Sequence, residues 1–357
     1  MTYRPKIALH SMLGNEAHVA LRMLKSCSKY VDYWVVQCNG DDNTLGLVEA
    51  FFEEAMIPGF AYSIDWKSPG ENRDHALQEL IKSDHRCDWI LRMDADETLE
   101  VDHDFDWSCL KDMSVDGWSI TAVSSGTQYG RTWLWNANRA WRFFPDVRHE
   151  RIGIWDGIQL HENFRREYLP QSFRHRLAND GVTWQDSEKF LQDALALERQ
   201  FVHTGESGMS IERIYYIGKS YYDYIDGNTE VDFESLSELS RRSNFFLKKC
   251  LESNSEEMRF YVSLLMAKNH ERLGLPEEAL WYLDQCERAC PDRNEHLLLK
   301  AKILQKKGLS AEGIETVDQM RLRPNPYPTR TFLIDSDSYC PSRLANFKQE
   351  LLALQDG

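Results

Sequence analysis

The chain is short of the features that mark membrane, disulfide-stapled or nucleic-acid-binding proteins. Nowhere does it hold a run of about 18 apolar residues, so no segment reads as a membrane-spanning helix. Positive charge is in deficit: 42 Lys and Arg against 57 Asp and Glu leave a net charge of −15 over 357 residues. That balance argues against a surface that holds nucleic acid or anionic lipid by counterion release. The eight cysteines include no C-x-x-C pair, and Cys286 and Cys290 lie one helical turn apart. This pattern points to reduced, partly buried thiols in a cytosolic protein. Met1 to Lys6 run straight into a strand-like segment without the apolar stretch of a secretion signal, so the expectation is a soluble, cytoplasmic chain. A hydrophobic fraction of 42% suffices for a real core, and the length allows two domains.

Strand and helix patterns alternate over the first hundred residues. Lys6 to Met12 predicts a strand, and Gly14-Asn15-Glu16 then opens a helix whose apolar face is Ala17, Ala20, Leu21, Leu24 and Cys27. Tyr33 to Cys38 reads as a second buried strand. Asn39-Gly-Asp-Asp-Asn43 supplies turn residues and an N-cap for a helix bearing Leu45, Val48, Phe51 and Phe52. Phe60, Tyr62 and Ile64 alternate as a third strand, and Asn72 to Lys82 forms a third helix. Such alternation favours a mainly parallel, Rossmann-like α/β sheet. Gly117 to Val123 and Arg139 to Phe144 read as strands without helices between them. Tyr129 to Asn138 reads as a loop or hairpin in which Trp133 and Trp135 serve equally well as core or as ligand platform.

The fourth strand carries the strongest chemical signal. Trp89-Ile-Leu-Arg-Met-Asp94-Ala-Asp96-Glu97 is a short apolar run that ends in three carboxylates within four residues. Its length and Asp88 flank suit a buried strand. The carboxyl edge of an open α/β sheet is where ligands bind, and two aspartates one residue apart there can share a divalent cation and a diphosphate. A bare D-x-D is more often a solvated acidic turn. The surrounding pattern shifts that balance.

From about residue 185 the chain turns helical, with helices expected at 187–203, 209–225, 232–251, 256–273, 276–289, 294–307 and 310–321. Gly274 and Gly308 stand 34 residues apart, the tetratricopeptide period. Ala267, Ala279, Pro291 and Ala301 fit that register, and Gly313 departs from it. Two domains follow, 1–184 and 185–357.

Four motifs together resemble a family 2 glycosyltransferase of the GT-A fold with a C-terminal tetratricopeptide-like helical domain. They are His10-Ser-Met-Leu-Gly-Asn15-Glu16, Val35 to Thr44 with Asp42, Glu71-Asn72-Arg73-Asp74-His-Ala76-Leu77, and Asp88 to Glu97. Arg142-Phe-Phe144 followed by His161-Glu162 resembles the family's later R-x-F and H-E signature. The resemblance covers roughly the first 165 residues. It implies inverting transfer of a sugar, glucose by default, from a UDP-sugar to a glycan, lipopolysaccharide-type or peptide acceptor, with Mn²⁺ or Mg²⁺. Asp96 is then the metal ligand, Asp94 contacts ribose and metal, and His161 completes the metal shell or is a hydrogen-bonded loop histidine. Glu162 is the general base, with Asp156 behind it, and Glu97 orients a neighbour. Asn15, Glu16, Asp42 and Arg73 contact the nucleotide, although capping and cover of the sheet edge explain Asn15, Glu16 and Arg73 as well. Where many relatives carry an aspartate for the nucleobase, this chain has Gln37, whose amide can still pair a pyrimidine edge.

Two other readings compete. Asp94-Ala-Asp96-Glu97-Thr98 fits the D-x-D-x-T string of haloacid-dehalogenase-type phosphatases, but it follows the fourth strand and lacks the later lysine and paired-aspartate motifs. A catalytically inactive tetratricopeptide interaction protein is the other. A short helical array seeks a partner surface, which suggests a homodimer or acceptor docking through that half.

Overall fold

The computed structural model describes residues 4–83, 86–124, 126–144, 151–181, 188–228, 230–324 and 334–354. The chain divides into two compact units, Met1–Gln185 and Asp186–Gly357. The first is mixed α/β and the second is helical.

The first unit begins with three strand–helix repeats: β1 (Ile7–Gly14), α1 (Ala20–Cys27), β2 (Tyr33–Asn39), α2 (Thr44–Ala55), β3 (Gly59–Tyr62) and α3 (Pro69–Lys82). β4 (Trp89–Arg92), β5 (Glu97–Val101), β6 (Gly117–Ser124), β7 (Thr127–Asn136) and β8 (Trp141–Phe143) follow, then β9 (Ile152–Trp155), β10 (Leu160–His161), β11 (Arg166–Tyr168) and β12 (Phe173–Leu177). The main sheet runs β3-β2-β1-β4-β7-β6-β12-β5, with β11 beside β6, and β8 to β10 form a separate small sheet. β1 pairs parallel with both β2 and β4, in a register that sets His10 against Arg92 and Gly14 against Asn39. The loops after β1, β2 and β4 therefore leave the sheet along one edge.

Period-two side-chain alternation divides the core. Ile7, Leu9, Trp34, Val36, Trp89 and Leu91 pack on one face with Ala20, Leu24 and Phe52. Ala8, Val35 and Ile90 point to the other, against Leu77 and Leu80 of α3 and the buried Trp135 and Trp141. Strands covered on both faces read as continuous apolar runs, as β1, β2 and β4 do.

Several elements differ from expectation for local reasons. α1 starts at Ala20 and not at Glu16, because Asn15 has φ +55° and turns the chain before the helix begins. α3 starts earlier, at Pro69: Ser68 Oγ accepts from the Glu71 N–H, and the Glu71 carboxylate accepts from the Ser68 hydroxyl, a capping box. Residues 129–138 hold most of β7, an antiparallel partner of both β4 and β6, and not a loop. Trp135 is core, whereas Trp133 is only partly buried.

The second unit consists of α4 (Glu188–Thr204), α5 (Ile211–Gly227), α6 (Phe233–Lys249), α7 (Glu256–Arg272), α8 (Pro276–Ala289), α9 (Glu295–Lys306), α10 (Ser310–Leu322) and α11 (Pro341–Ala353). The first seven match the periodicity closely, and α11 lies beyond the expected set. Successive helices pack against each other, most extensively α7 with α8 and α5 with α6. Gly274 and Gly308 take φ +72° and +76° as they close α7 and α9, a conformation that admits few other residues. Among the described residues no helix is long and apolar enough to cross a membrane.

α5 meets α6 at Gly218, where a Cβ would lie 2.7 Å from Leu247 Cγ and 3.0 Å from the Ser243 carbonyl oxygen. Gly227 of the same helix has open space around it. Gly218→Ala should therefore destabilise the protein by about 1–3 kcal/mol through overpacking. Gly227→Ala should be neutral or gain roughly 0.4–1 kcal/mol through the unfolded chain. Urea unfolding of the two variants checks the contrast, and equal effects would refute the close approach.

Candidate functional site at the carboxyl edge of the sheet

The loops after β1 and β2 are braced against each other by the motif residues. Asn15 Oδ1 accepts from the N–H groups of Asp41 and Asp42 at 2.9 and 3.1 Å. The approach is so close that a Cβ on Gly40 would collide with the Asn15 side chain. Asp42 accepts from Ala17 N–H at 3.0 Å and Thr44 N–H at 3.0 Å, and Glu16 N–H donates to Thr44 Oγ1 at 2.9 Å. The Glu16 and Ala17 amides are thus engaged within the protein. Gln37 is fully buried; its amide nitrogen donates to Asn39 at 2.6 Å and its oxygen accepts from Tyr62 at 3.3 Å. A nucleobase would have to meet other groups at this edge.

The end of β4 carries a dense ionic cluster. Asp94 pairs with Arg73 of α3 at 2.8 Å and with Arg92 at 3.5 Å. Glu97 pairs with Arg131 of β7 at 2.7 Å, and its other oxygen accepts from the Asp94 N–H at 3.1 Å. The guanidiniums of Arg92 and Arg131 lie 4.4 and 4.3 Å from the Trp133 ring centre, so Trp133 serves as a platform for arginines. Burial would raise the Asp94 carboxyl, but Arg73, Arg92 and Arg131 outweigh it and hold the group well below the usual carboxylate range. Glu97 moves the other way, pushed up to about 8 by burial and by the charge on Asp94. His10 and His175 are fully enclosed and pushed down to about 3, by burial first and then by neighbouring arginines. His10 Nε2–H donates to the Arg73 carbonyl at 3.2 Å, which ties β1 to α3.

Among the described residues Asp96 forms no ion pair with this arginine cluster, although the Arg131 charge reaches it. Its residue is 9% exposed, and Oδ2 is buried with no hydrogen-bond partner among the described residues. Burial and the charge on Asp94 raise its carboxyl. The segment after β12 crosses directly over it. Ala178 N–H donates to the Asp96 carbonyl at 3.0 Å, and Arg22 of α1 holds the Asp180 carboxylate at 2.6 and 2.7 Å. A Cβ on Gly181 would lie 3.4 Å from Glu16 Oε1 and 3.5 Å from Asp96 Cγ. The orphaned Asp96 carboxylate oxygen is a hard donor of the kind that suits Mg²⁺ or Mn²⁺. Among the described residues no group of three or more His, Cys, Asp and Glu is arranged as a self-sufficient metal cage. Mg²⁺ is commonly held by one or two carboxylates with substrate phosphates completing its shell, so the fit does not need such a cage.

The remaining sequence candidates form a second cluster on the small sheet. His161 Nε2 lies 2.5 Å from Asp156 Oδ2, and Glu162 pairs with Arg151 at 2.5 Å. The Asp156 carboxyl is held low by the Gln159 N–H, then by His161 and the Ile158 N–H. Among the described residues the hydrogen bonds of Asp156, His161 and Glu162 stay within this hairpin and do not reach Asp94 or Asp96. An open cavity of about 610 Å³ runs along α3 beside the hairpin, lined by Asn72, His75, Gln78, Phe143, Trp155 and Leu160 among others. Phe143 links it to the cluster, its ring 5.7 Å from the Arg92 guanidinium.

The sequence reasoning missed Arg131, His175 and Gly181. The alternation of Tyr129, Arg131 and Trp133 on one face of β7 was a usable signal for the first. Nothing local marked the other two, which arrive through the pairing of β12 with β5 and β6. No protein-family model matches the chain, and no curated protein matches it.

The buried histidines make stability depend on acid. Above pH 6.5 they are neutral in folded and unfolded chains alike; between 6.5 and 3 the unfolded chain takes up protons that the folded one refuses. Stability should fall with pH across that window by up to about 1.4 kcal/mol per pH unit for each histidine. Glu97 acts in the opposite sense from pH 4.5 to about 8, and since it lies 3.6 Å from His175 Nδ1 the His175→Gln variant keeps a polar neighbour beside it. Denaturant unfolding at pH 7 and pH 5 should show a shallower acid loss in His175→Gln. Identical slopes would mean that His175 titrates normally in the folded protein.

Proposed function

We propose that the first unit is an inverting glycosyltransferase of the GT-A type that moves a sugar, glucose by default, from a UDP-sugar to a hydroxyl- or thiol-bearing acceptor. The observation that carries the reading is convergence: motif residues of four separate loops meet at one sheet edge. There Asn15 and Asp42 brace the loops after β1 and β2, Arg73 and Asp94 pair at the end of β4, and Asp96, two residues on, carries an orphaned carboxylate oxygen. Departure of a diphosphate from an oxocarbenium-like sugar needs positive charge placed where negative charge develops. Asp96 would hold Mn²⁺ or Mg²⁺, which when bound supplies that charge as a Lewis acid. Arg73 and Arg92 bring two further cations to the same edge, kept in position by Asp94. Trp133 stacks on Arg92 and limits its freedom, so little reorganisation is required when an anion arrives.

The acceptor must lose a proton as the new bond forms. Glu162 is assigned as its base, with Asp156 next in line, and Arg151 orients the Glu162 carboxylate. Since these residues lie on the hairpin of the small sheet, acceptor and donor sides of the sugar are served by different elements. The second unit, a tetratricopeptide-like array, is assigned to acceptor docking or self-association in a cytoplasmic enzyme.

Calorimetry with UDP-glucose in the presence and absence of Mn²⁺ tests the reading. Wild type should bind only with the cation, and Asp96→Ala should lose that dependence without unfolding, because the residue contributes little to the core. Glu162→Gln should keep donor binding while hydrolysis of UDP-glucose, with water as acceptor, slows by at least about 10²-fold. Absence of cation-dependent binding of any uridine sugar by wild type would sink the proposal.

A further inference from the structure

One stripe of α3 and the small sheet line the open cavity of about 610 Å³. Glu71, His75 and Gln78 recur at helical spacing, so they share a face of α3 and make a polar wall. Phe143 of β8 and the cross-strand pair of Trp155 in β9 and Leu160 in β10 make an apolar one. Trp155 is 42% exposed, an aromatic surface left open to water. The volume falls within the range of small-molecule pockets, about 300–1,000 Å³. The cavity adjoins both charged clusters, since Leu160 lies two residues before Glu162 and the Phe143 ring is 5.7 Å from the Arg92 guanidinium.

A chain of hydrogen bonds fixes what His75 offers there. Asn39 Nδ2 donates to the Ile64 carbonyl at 2.6 Å, which makes Asn39 Oδ1 the acceptor of the Gln37 amide nitrogen at 2.6 Å. The Gln37 oxygen then accepts the single hydroxyl proton of Tyr62 at 3.3 Å. With that proton committed, the Tyr62 oxygen can only accept from His75 Nδ1, 2.9 Å away. Nδ1 therefore carries the hydrogen of the neutral ring, and Nε2 keeps its lone pair. Nε2 has no hydrogen-bond partner among the described residues, and His75 is exposed where it lines the cavity.

We infer that this cavity binds a saccharide, with a C–H face of one sugar ring on Trp155 and a hydroxyl of that sugar donating to Nε2 of His75. A pyranose ring carries apolar C–H faces and a rim of hydroxyls, so it matches a slot with one aromatic and one polar wall. A peptide would add a strand to a sheet edge, and α3, whose backbone groups bond one another, offers none for it. That the saccharide is the acceptor rests on the glycosyltransferase reading, whereas the sugar site itself does not.

A printed array of bacterial, plant and animal glycans, probed with the labelled full-length protein in the absence of nucleotide, tests the site. A glycan should be retained, and calorimetry with that glycan should show Trp155→Ala weaker by at least about tenfold. This variant removes an exposed side chain and should keep the wild-type melting temperature. His75→Phe keeps a ring but no lone pair and should lose about three- to tenfold, and His75→Gln, whose amide oxygen can accept, should recover part of that loss. Tyr62→Phe leaves the cavity lining intact but frees the tautomer. The ¹⁵N shifts of the neutral His75 ring should change from an Nδ1–H form in wild type to a mixture in this variant, with weaker glycan binding. No glycan retained by wild type, undiminished binding in Trp155→Ala or His75→Phe, or an Nε2–H tautomer in wild type overturns the assignment. Glycan binding that depends on Trp155 and His75, without cation-dependent binding of any uridine sugar, keeps the saccharide site and removes its acceptor role along with the transferase reading. Cation-dependent UDP-glucose binding with no glycan retained does the reverse.

Discussion

The carboxyl edge of the sheet depends on Asp94. One carboxylate holds Arg73 from the start of α3 and Arg92 from the end of β4, and the Arg73 carbonyl in turn receives His10 from β1. α3, which backbone pairing does not hold to the sheet, is thereby tied to the ends of β1 and β4. Burying charges is expensive, and a buried pair deprived of one partner costs about 3–5 kcal/mol. The chain answers this by setting Asp94 against Arg73, Arg92 and Arg131, by hydrogen-bonding Glu97 to Arg131, and by keeping His10 and His175 neutral.

Around that anchor, residues that look like ligand contacts are largely structural braces. Asn15, Asp42 and Thr44 satisfy backbone amides of the neighbouring loop, and Gln37 is consumed by Asn39 and Tyr62. Bracing of this kind favours chemistry indirectly, because loops locked by hydrogen bonds do not need to reorganise when an anion or a cation arrives. Asp96 retains an unpartnered carboxylate oxygen while its backbone carbonyl is held by the Ala178 N–H.

The helical unit follows a different logic. Its helices bury apolar faces only against their neighbours, and its sharpest constraint is the contact of Gly218 with Leu247. Some polar groups inside it are paired with one another, as when Asn269 donates to Ser243 and Ser243 to the Gly218 carbonyl. Such buried bonds set which helix faces meet as well as adding stability.

How much of this was legible in the sequence varies with range. The unbroken apolar runs Trp34–Val36 and Trp89–Leu91 marked two-sided strands, and the helices from α4 to α10 were readable within a few residues, because both signals are set by neighbours along the chain. The D-x-D stretch, too, could be placed at the end of a strand. The start of α1 was misread because a left-handed Asn15 leaves no periodic trace, and β7 was misread because its tryptophans suit core and surface alike. What only the tertiary structure decided is which charges meet: that Arg73 is engaged by Asp94, that Trp133 carries arginines, and that Gly181 lies between Glu16 and Asp96. Those meetings depend on α3 packing against the sheet, on β7 pairing with β4, and on β12 pairing with β5 and β6 across some 50 to 80 positions of sequence. Local spacing determines which elements form, but a site assembled by long-range pairing is fixed only when the sheet closes.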